Sequence, residues 1–399
     1  MNRLLIVDDD PDELARICDD LHKAEPEWQI DHAESGRRAL QMMFRTSYDV
    51  IVSDFLMPKM EGAQLLKTVM KQSPQTIRIL LSGSFDWHTT LRLLNIAHQY
   101  LSKPCDPIVL REIIGRALFL RDLLANRHLQ TVVAKMQSLP SIPGLYAELM
   151  QELQKDHAAA HQLGKIISQD PGMCTKMLQL VNSACFGLSQ HVSNPEEAVL
   201  YLGVETIKAL VLSLQIFSLF DPTKVDHYSL QRLWQHCWGT ANLAKRIGQA
   251  ENLSTQETDQ AFVAGLLHDI GKLVIVNGLP QSAREILQLH QQCQLSIREA
   301  EQTVLGCTHA EVGAYLLGLW GIPNPIVEAV ALHHRPACCA TRHFSAVTAV
   351  HVANALEHEL MAAPEISRES EIDVPYLAGL NLTGRLSFWR QESTSLVRP

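Results

Sequence analysis

Residues Leu4–Pro11 read LLIVDDDP: four apolar residues, three consecutive carboxylates, then a proline. An apolar run closed at once by Asp-Pro is a buried strand handing over to a helix, which puts Asp8, Asp9 and Asp10 at the strand's carboxyl end. The same alternation continues outward from it. Short apolar segments WQIDHA (28–33), YDVIVSD (48–54), TIRILLS (76–82) and HQYLSKP (98–104) alternate with amphipathic ones such as GRRALQMMF (36–44) and GAQLLKTVM (62–70). This βα order predicts an α/β, doubly wound domain of five parallel strands, helices on both faces, with its ligand site at the strands' carboxyl ends.

Polar residues gather at those ends. Asp54 follows strand three, Ser82 follows strand four, and Lys103 precedes Pro104 after strand five. One aspartate there is an ordinary helix cap, the natural reading of Asp10 before Pro11. Several carboxylates converging on one sheet edge repel one another unless a hard cation such as Mg²⁺ sits among them.

The motifs LLIVDDDP, IVSDFLMPKMEG, LLSGS and YLSKP, in this order and spacing, resemble the receiver domain of bacterial two-component response regulators. The resemblance covers residues 1–125 and implies a flavodoxin-like fold. It implies that Asp54 is the phosphoacceptor, and that Asp8 and Asp9, with Asp54 and the backbone carbonyl of Leu56, hold Mg²⁺. It further implies that Ser82 and Lys103 contact the phosphoryl group, and that Tyr100 reorients on activation. Its phosphoryl source would be a sensor histidine kinase or a phosphotransfer protein.

A helix starts near Asp106 and keeps an apolar face from Ile108 to Leu139, broken only by Gly115 and stopped by Pro140 and Pro143. It reads either as one long helix or as two with a hinge near Asn126, and residues 126–144 are expected to be a helical connector. Beyond Leu145 the apolar period is helical almost throughout, punctuated by QDPG, SNPEE and FDPT. Residues 145–399 are expected to form an all-α domain of roughly ten helices.

Its histidines fall on helices rather than in tails. His236 lies mid-helix, His268–Asp269 closes the run AGLLHDIGKL, His309 follows Thr308, His333–His334 close another helix, and His351 stands three residues before Asn354 and seven before His358. A lone histidine is ordinarily a core or surface residue; this series suggests a shared site. A His–Asp pair can hold a divalent metal that activates water, but that ligand set is one carboxylate short.

The order resembles the HD superfamily of metal-dependent phosphohydrolases. More closely, SLPSIPGL, ISQDPGMCTKMLQLVNSACFGL, SNPEEAVLYLGVETIKALVLSL and GLLHDIGKL resemble the HDOD, or HD-related output, domain. The resemblance implies that His236, His268 and Asp269 match core metal ligands and that His309, His333 and His334 match those of a second metal. Lys272 is a phosphate-contacting candidate, and Asn354 stands where catalytic relatives carry an aspartate. Asn for Asp removes a charge and most of a ligand's strength toward a hard dication. HHRPACC replaces the GYP-type segment of cyclic-di-GMP hydrolases. The expected site is vestigial, with weak or no divalent metal and no catalysis.

Net charge is −9 at 19% charged residues, and there is neither a basic stripe nor a helix-turn-helix pattern, which argues against nucleic acid. The low charge also suits a subunit interface, so a homodimer stays open. Nine cysteines without any C-x-x-C, after an N-terminus unlike a signal peptide, read as reduced thiols of a cytoplasmic chain. The longest uncharged apolar run, Ala209–Phe220, is too short for membrane insertion. The expected function is a phosphorelay regulator whose output domain binds an unidentified downstream protein; the alternative is a receiver-gated metal phosphohydrolase.

Overall fold

In the first of two compact units, centred on Met1–Gln137, the strands β1 (Arg3–Val7), β2 (Gln29–Ala33), β3 (Val50–Asp54), β4 (Ile77–Ser82) and β5 (Gln99–Ser102) form one parallel sheet ordered β2-β1-β3-β4-β5. This is the expected doubly wound topology. The structure, a computed structural model, describes residues 2–83, 96–124, 126–136, 140–141, 143–155, 159–182, 191–204, 206–207, 218–219, 230–361 and 371–396. Most of Ala209–Phe220, and the HDOD-like motif beyond Asn182, lie outside them.

Register fixes where the chemistry falls. Val7 pairs Ser53, Asp54 pairs Leu81, and Ser82 pairs Ser102, so Asp8, Asp54, Ser82 and Lys103 leave the sheet on one edge. Leu4–Val7 and Val50–Val52 are at most 1% exposed, as strands covered on both faces must be. The helices are α1 (Pro11–Ala24), α2 (Gly36–Arg45), α3 (Gly62–Gln72), α4 (Pro107–Asp122) and α5 (Arg127–Lys135).

Asp10 caps α1, accepting from the N–H groups of Asp12 and Glu13 at 2.9 and 3.3 Å, with Pro11 as first helical residue. The apolar stretch from Ile108 onward forms two helices. Asn126 caps α5 through the N–H groups of His128 and Leu129, and α4 has already ended. α5 belongs to the first unit. Its Ala134 carbonyl accepts from His98 Nε2 at 3.0 Å and from the Arg78 guanidinium at 3.4 Å, both buried against the sheet.

The second unit takes most of the chain from Ser138 on. Its helices are α6 (Pro143–Leu153), α7 (Ala160–Ser168), α8 (Pro171–Val181), α9 (Pro195–Leu202), α10 (Leu230–Ala250), α11 (Thr255–Leu267), α12 (Ile270–Gly278), α13 (Pro280–Cys293), α14 (Ile297–Leu305), α15 (His309–Leu319), α16 (Asn324–Leu332), α17 (Ala346–Met361), α18 (Val374–Gly379) and α19 (Leu386–Leu396). They outnumber the ten expected because the apolar period runs on through breaks such as Leu279 before Pro280, which parts α12 from α13.

α10, α11 and α17 pack on one another, and α16 packs on α11 and α17. Ala261, Val263–Leu267 and Val347–Ala355 are almost wholly buried, as helices apolar on every face must be. Thr255–Gly278 is long and apolar enough to pass for a membrane span, yet 83% of its most apolar window is buried inside the fold. A membrane span is not indicated.

Candidate functional sites

At the carboxyl edge of the first unit's sheet, the carboxylates of Asp8, Asp9 and Asp54 lie within 4.8 Å of one another. Lys103 reaches across from the end of β5, its ammonium donating to Asp8 Oδ2 at 2.5 Å and pairing with Asp54. The Lys103 backbone N–H donates to the Ser82 carbonyl at 2.7 Å, so strand pairing sets where the ammonium emerges. Asp8 and Asp54 are buried and Asp9 is exposed. Burial raises the Asp54 carboxyl against the opposing pull of Lys103. Burial pulls Lys103 down, but Asp54 and Asp8 prevail and hold its ammonium above the ordinary lysine value.

The remaining expected residues fall around this cluster. Leu56 extends an exposed side chain, while its backbone hydrogen-bonds the Asp54 carboxylate. Ser82 is buried at the end of β4. Tyr100 is buried on β5, its hydroxyl accepting from the Ala97 N–H at 3.1 Å. Gly62, which opens α3, is a position of close approach: a Cβ there would lie 1.9 Å from the Asp54 carbonyl oxygen. The glycine of MPKMEG is thus fixed by packing on the Asp54 strand.

In the second unit, α10, the α11–α12 junction, α15, the end of α16 and α17 bring the expected histidines and Asp269 into one centre. His236 Nε2 lies 3.1 Å from His268 Nε2 and 3.0 Å from Asn354 Oδ1. Asp269 Oδ1 lies 3.1 Å from His309 Nε2 and 4.0 Å from His333 Nε2, while its Oδ2 accepts from Lys272 at 2.7 Å. His309 and His334 approach through their Nε2 atoms at 3.1 Å. Two donor sets result, His236–His268–Asp269 and His309–His333–His334, with Asp269 reaching both. His351 stands apart: its Nδ1 bonds the His333 carbonyl at 2.7 Å and its Nε2 accepts from the Asp373 N–H at 2.9 Å.

One neighbour of this centre escaped the sequence reading: Glu301 of α14 accepts from His309 Nδ1 at 2.7 Å. His358, noted in the sequence with His351 and Asn354, has its ring 4.3 Å from that of His236. Glu301 carries no local signal, because it meets His309 across a helix boundary and a turn. His358 stands one helical turn from Asn354, on the face that the spacing of the two residues implies.

Hydrogen bonding orients the rings. Nδ1–H of His268 donates to the Gly265 carbonyl, that of His333 to the Val330 carbonyl and that of His309 to Glu301, each at 2.7 Å. The tautomers assigned from these partners turn Nε2 inward in all three, the arrangement of metal-ligating histidines. His333 Nε2 and His236 Nδ1 are buried without a hydrogen-bond partner.

Burial holds His236, His268, His333 and His334 below the ordinary imidazole value. His309 differs. Burial would lower it, but the carboxylates of Glu301 and Asp269 hold it at about 9. For Asp269, burial is outweighed by Lys272 and the surrounding imidazoles, which keep it well below the usual carboxylate range.

Gly271, the glycine of HDIGK, has its own constraint. A Cβ there would lie 1.9 Å from the His309 carbonyl oxygen, so α12 meets the start of α15 backbone to backbone.

The response regulator receiver family model matches residues 4–115, and the HDOD domain model matches residues 139–336. An uncharacterised protein of Treponema pallidum (strain Nichols) is 23% identical over 204 residues, 51% of this chain and 39% of that one. The regulatory protein AtoC of Escherichia coli K12 is 30% identical over 43% of this chain and 38% of its own. The response regulator SaeR of Staphylococcus aureus is 29% identical over 33% of this chain and 56% of its own. The chain therefore spans about half or less of these relatives. Among solved structures, the MmoQ response regulator of Methylococcus capsulatus is 21% identical, with 60% of this chain and 97% of that one covered at a TM-score of 0.47. The receiver domain of an HD domain-containing protein from Pseudomonas fluorescens Pf-5 is 31% identical over 30% of this chain and 94% of its own, at a TM-score of 0.28.

Proposed function

Because the chain is a response regulator, in which a receiver domain precedes an HDOD domain, we propose that phosphorylation of Asp54 controls a second domain that signals by binding another protein and does not catalyse. The observation that carries the receiver half is the Lys103 ammonium joined to both Asp8 and Asp54. A carboxylate attacks a phosphoryl donor only when the crowded oxyanions are neutralised. An Asp54 oxygen forms the new bond to phosphorus as the bond to the donor's leaving group breaks. Lys103 compensates the phosphoryl oxygens and the Ser82 hydroxyl donates to one of them.

The all-oxygen set of Asp8, Asp9 and Asp54 fits Mg²⁺, with the Leu56 carbonyl as a further ligand. Bound there, the ion would supply charge neutralisation. Residues 126–144 act as the connector in this reading, a sensor histidine kinase or phosphotransfer protein supplies the phosphoryl group, and the setting is cytoplasmic. Acetyl phosphate with Mg²⁺ should label the protein, Asp54→Asn should not be labelled, and Asp9→Ala should require more Mg²⁺. Undiminished labelling of Asp54→Asn removes the assignment.

For the second domain, the inward Nε2 atoms and the orphaned His333 nitrogen fit a borderline divalent cation better than Mg²⁺. His309, His333, His334 and Asp269 would be its strongest set, since Asn354 offers the other half only a neutral oxygen. All these donors except His334 are buried, and so is Lys272. That supports a structural centre over a catalytic one, which keeps an open coordination position. The converging donors equally motivate the second reading, a receiver-gated phosphohydrolase. Elemental analysis and hydrolysis of a chromogenic phosphodiester with added Mn²⁺ separate them: full occupancy with robust turnover selects the hydrolase.

A further inference from the structure

The second unit has a pocket of about 300 Å³, lined by α7, α10, α11 and the start of α9, that shares no residue with the histidine–aspartate centre. Two rings form its apolar part. Trp238 of α10, 37% exposed, meets Phe262 of α11 edge to face, with centroids 5.8 Å apart. Lys245 Nζ lies 5.5 Å from the Phe262 centroid.

The charges lining the pocket are unequally engaged. Asp259 accepts from Asn194 Nδ2 at 3.0 Å and lies 3.9 Å from Lys245, and Glu196 lies 3.3 Å from His161. Lys165, exposed on α7, has no ion-pair partner among the described residues. Two amides complete the chemistry. Asn242 Nδ2 donates to the Trp238 carbonyl at 2.8 Å and Gln169 Nε2 to the Lys165 carbonyl at 3.1 Å, which leaves their side-chain oxygens to accept from a ligand.

An aromatic face, an ammonium without a counter-ion beside a loosely paired one, and two amide acceptors specify a planar, amine-bearing ring that carries an anion. We propose that this pocket binds a nucleoside monophosphate, its base stacked on Trp238 and its phosphate held by Lys165 and Lys245. The volume sits at the low end of small-molecule sites, about right for one base with one phosphate-bearing sugar. Stacking on an exposed aromatic is favourable for any base, and a partly desolvated lysine gives the anion its direction. Trp238 lies two residues from His236 on α10, so a ligand there would load the helix that carries one of the metal-ligand candidates. The proposal stands apart from receiver phosphorylation and from the question of catalysis.

The test is calorimetric titration of the full-length protein with AMP, GMP, CMP and, separately, inorganic phosphate. Saturable binding of at least one nucleotide below about 1 mM is expected. It should weaken roughly tenfold or more in Trp238→Ala and in Lys165→Glu, and should fall with added salt. Lys165→Glu alters an exposed side chain, which keeps the test valid if Trp238→Ala folds poorly. The proposal is overturned if none of the three nucleotides binds saturably in that range. It is equally overturned if binding survives Lys165→Glu, or if inorganic phosphate binds as tightly as the nucleotides.

Discussion

Asn354 stands beside the His236–His268–Asp269 set, its amide oxygen 3.0 Å from His236 Nε2. Asn354→Asp would place a negative charge there without changing side-chain volume appreciably. Metal occupancy should rise, by the roughly 10–100-fold that changes around metal sites produce, as read by elemental analysis after equal loading. Unchanged occupancy would mean that the His236 half takes no part in holding metal.

His309 yields a prediction of opposite character. Its folded value of about 9 lies above the unfolded imidazole value, so its stabilisation is complete below about pH 6.5 and is lost as pH rises toward 9. The buried neutral histidines act in the other direction: their values are lowered, so they destabilise as pH falls below about 6.5. In metal-free protein, denaturant titrations from pH 6.5 upward should show a loss that is smaller in His309→Asn, the difference being on the order of 2–4 kcal/mol. Parallel wild-type and variant profiles would show that His309 is not held protonated. The residues of this centre and their division into two donor sets were legible through the resemblance, and the carboxylate that orients His309 was not. Glu301 faces His309 only because α14 and α15 turn back on each other, and no spacing along the chain encodes that meeting.

Elements were the most legible level in the first unit. Strands buried on both faces read as unbroken apolar runs, and Asp-Pro at Asp10–Pro11 and Asp106–Pro107 marked helix starts where the caps are found. The second unit was legible only as helical, because the second half of α11 and most of α17 are buried apolar runs that lose the period marking ends. The break between α4 and α5 was one of two open readings, and Asn126 decides it by capping. If α5 carries the receiver's state onward, proline should interrupt it. Val132→Pro removes an interior N–H at a cost of about 3 kcal/mol to the helix, and Leu124→Pro removes the bond from the Leu124 N–H to the Arg121 carbonyl. Both variants should still label at Asp54 but lose any phosphorylation-dependent change in hydrogen exchange beyond residue 143. An undiminished response in both would exclude this route.

The two units should respond differently to ligands of the receiver. Mg²⁺ with a phosphoryl analogue binds the folded first unit alone, and at about 100 times its dissociation constant should stabilise that unit by roughly 2.7 kcal/mol. Asp9→Ala should abolish most of the gain in a thermal scan. If the helices beyond residue 143 gain protection in the same experiment, the units are coupled in free energy; stabilisation undiminished in Asp9→Ala would dismiss the carboxylate cluster as the ion's seat.

The backbone contact at Gly271 bears on how such chains are sorted. A glycine fixed by the His309 carbonyl must persist for as long as α12 rests on α15, whether or not any substrate is ever turned over. The signature HDIGK thus records an architectural necessity as much as a chemical one. A survey that counts hydrolases by that string would count every chain that keeps this packing, whatever its chemistry; the residue at position 354 and the burial of the donors are the better census questions.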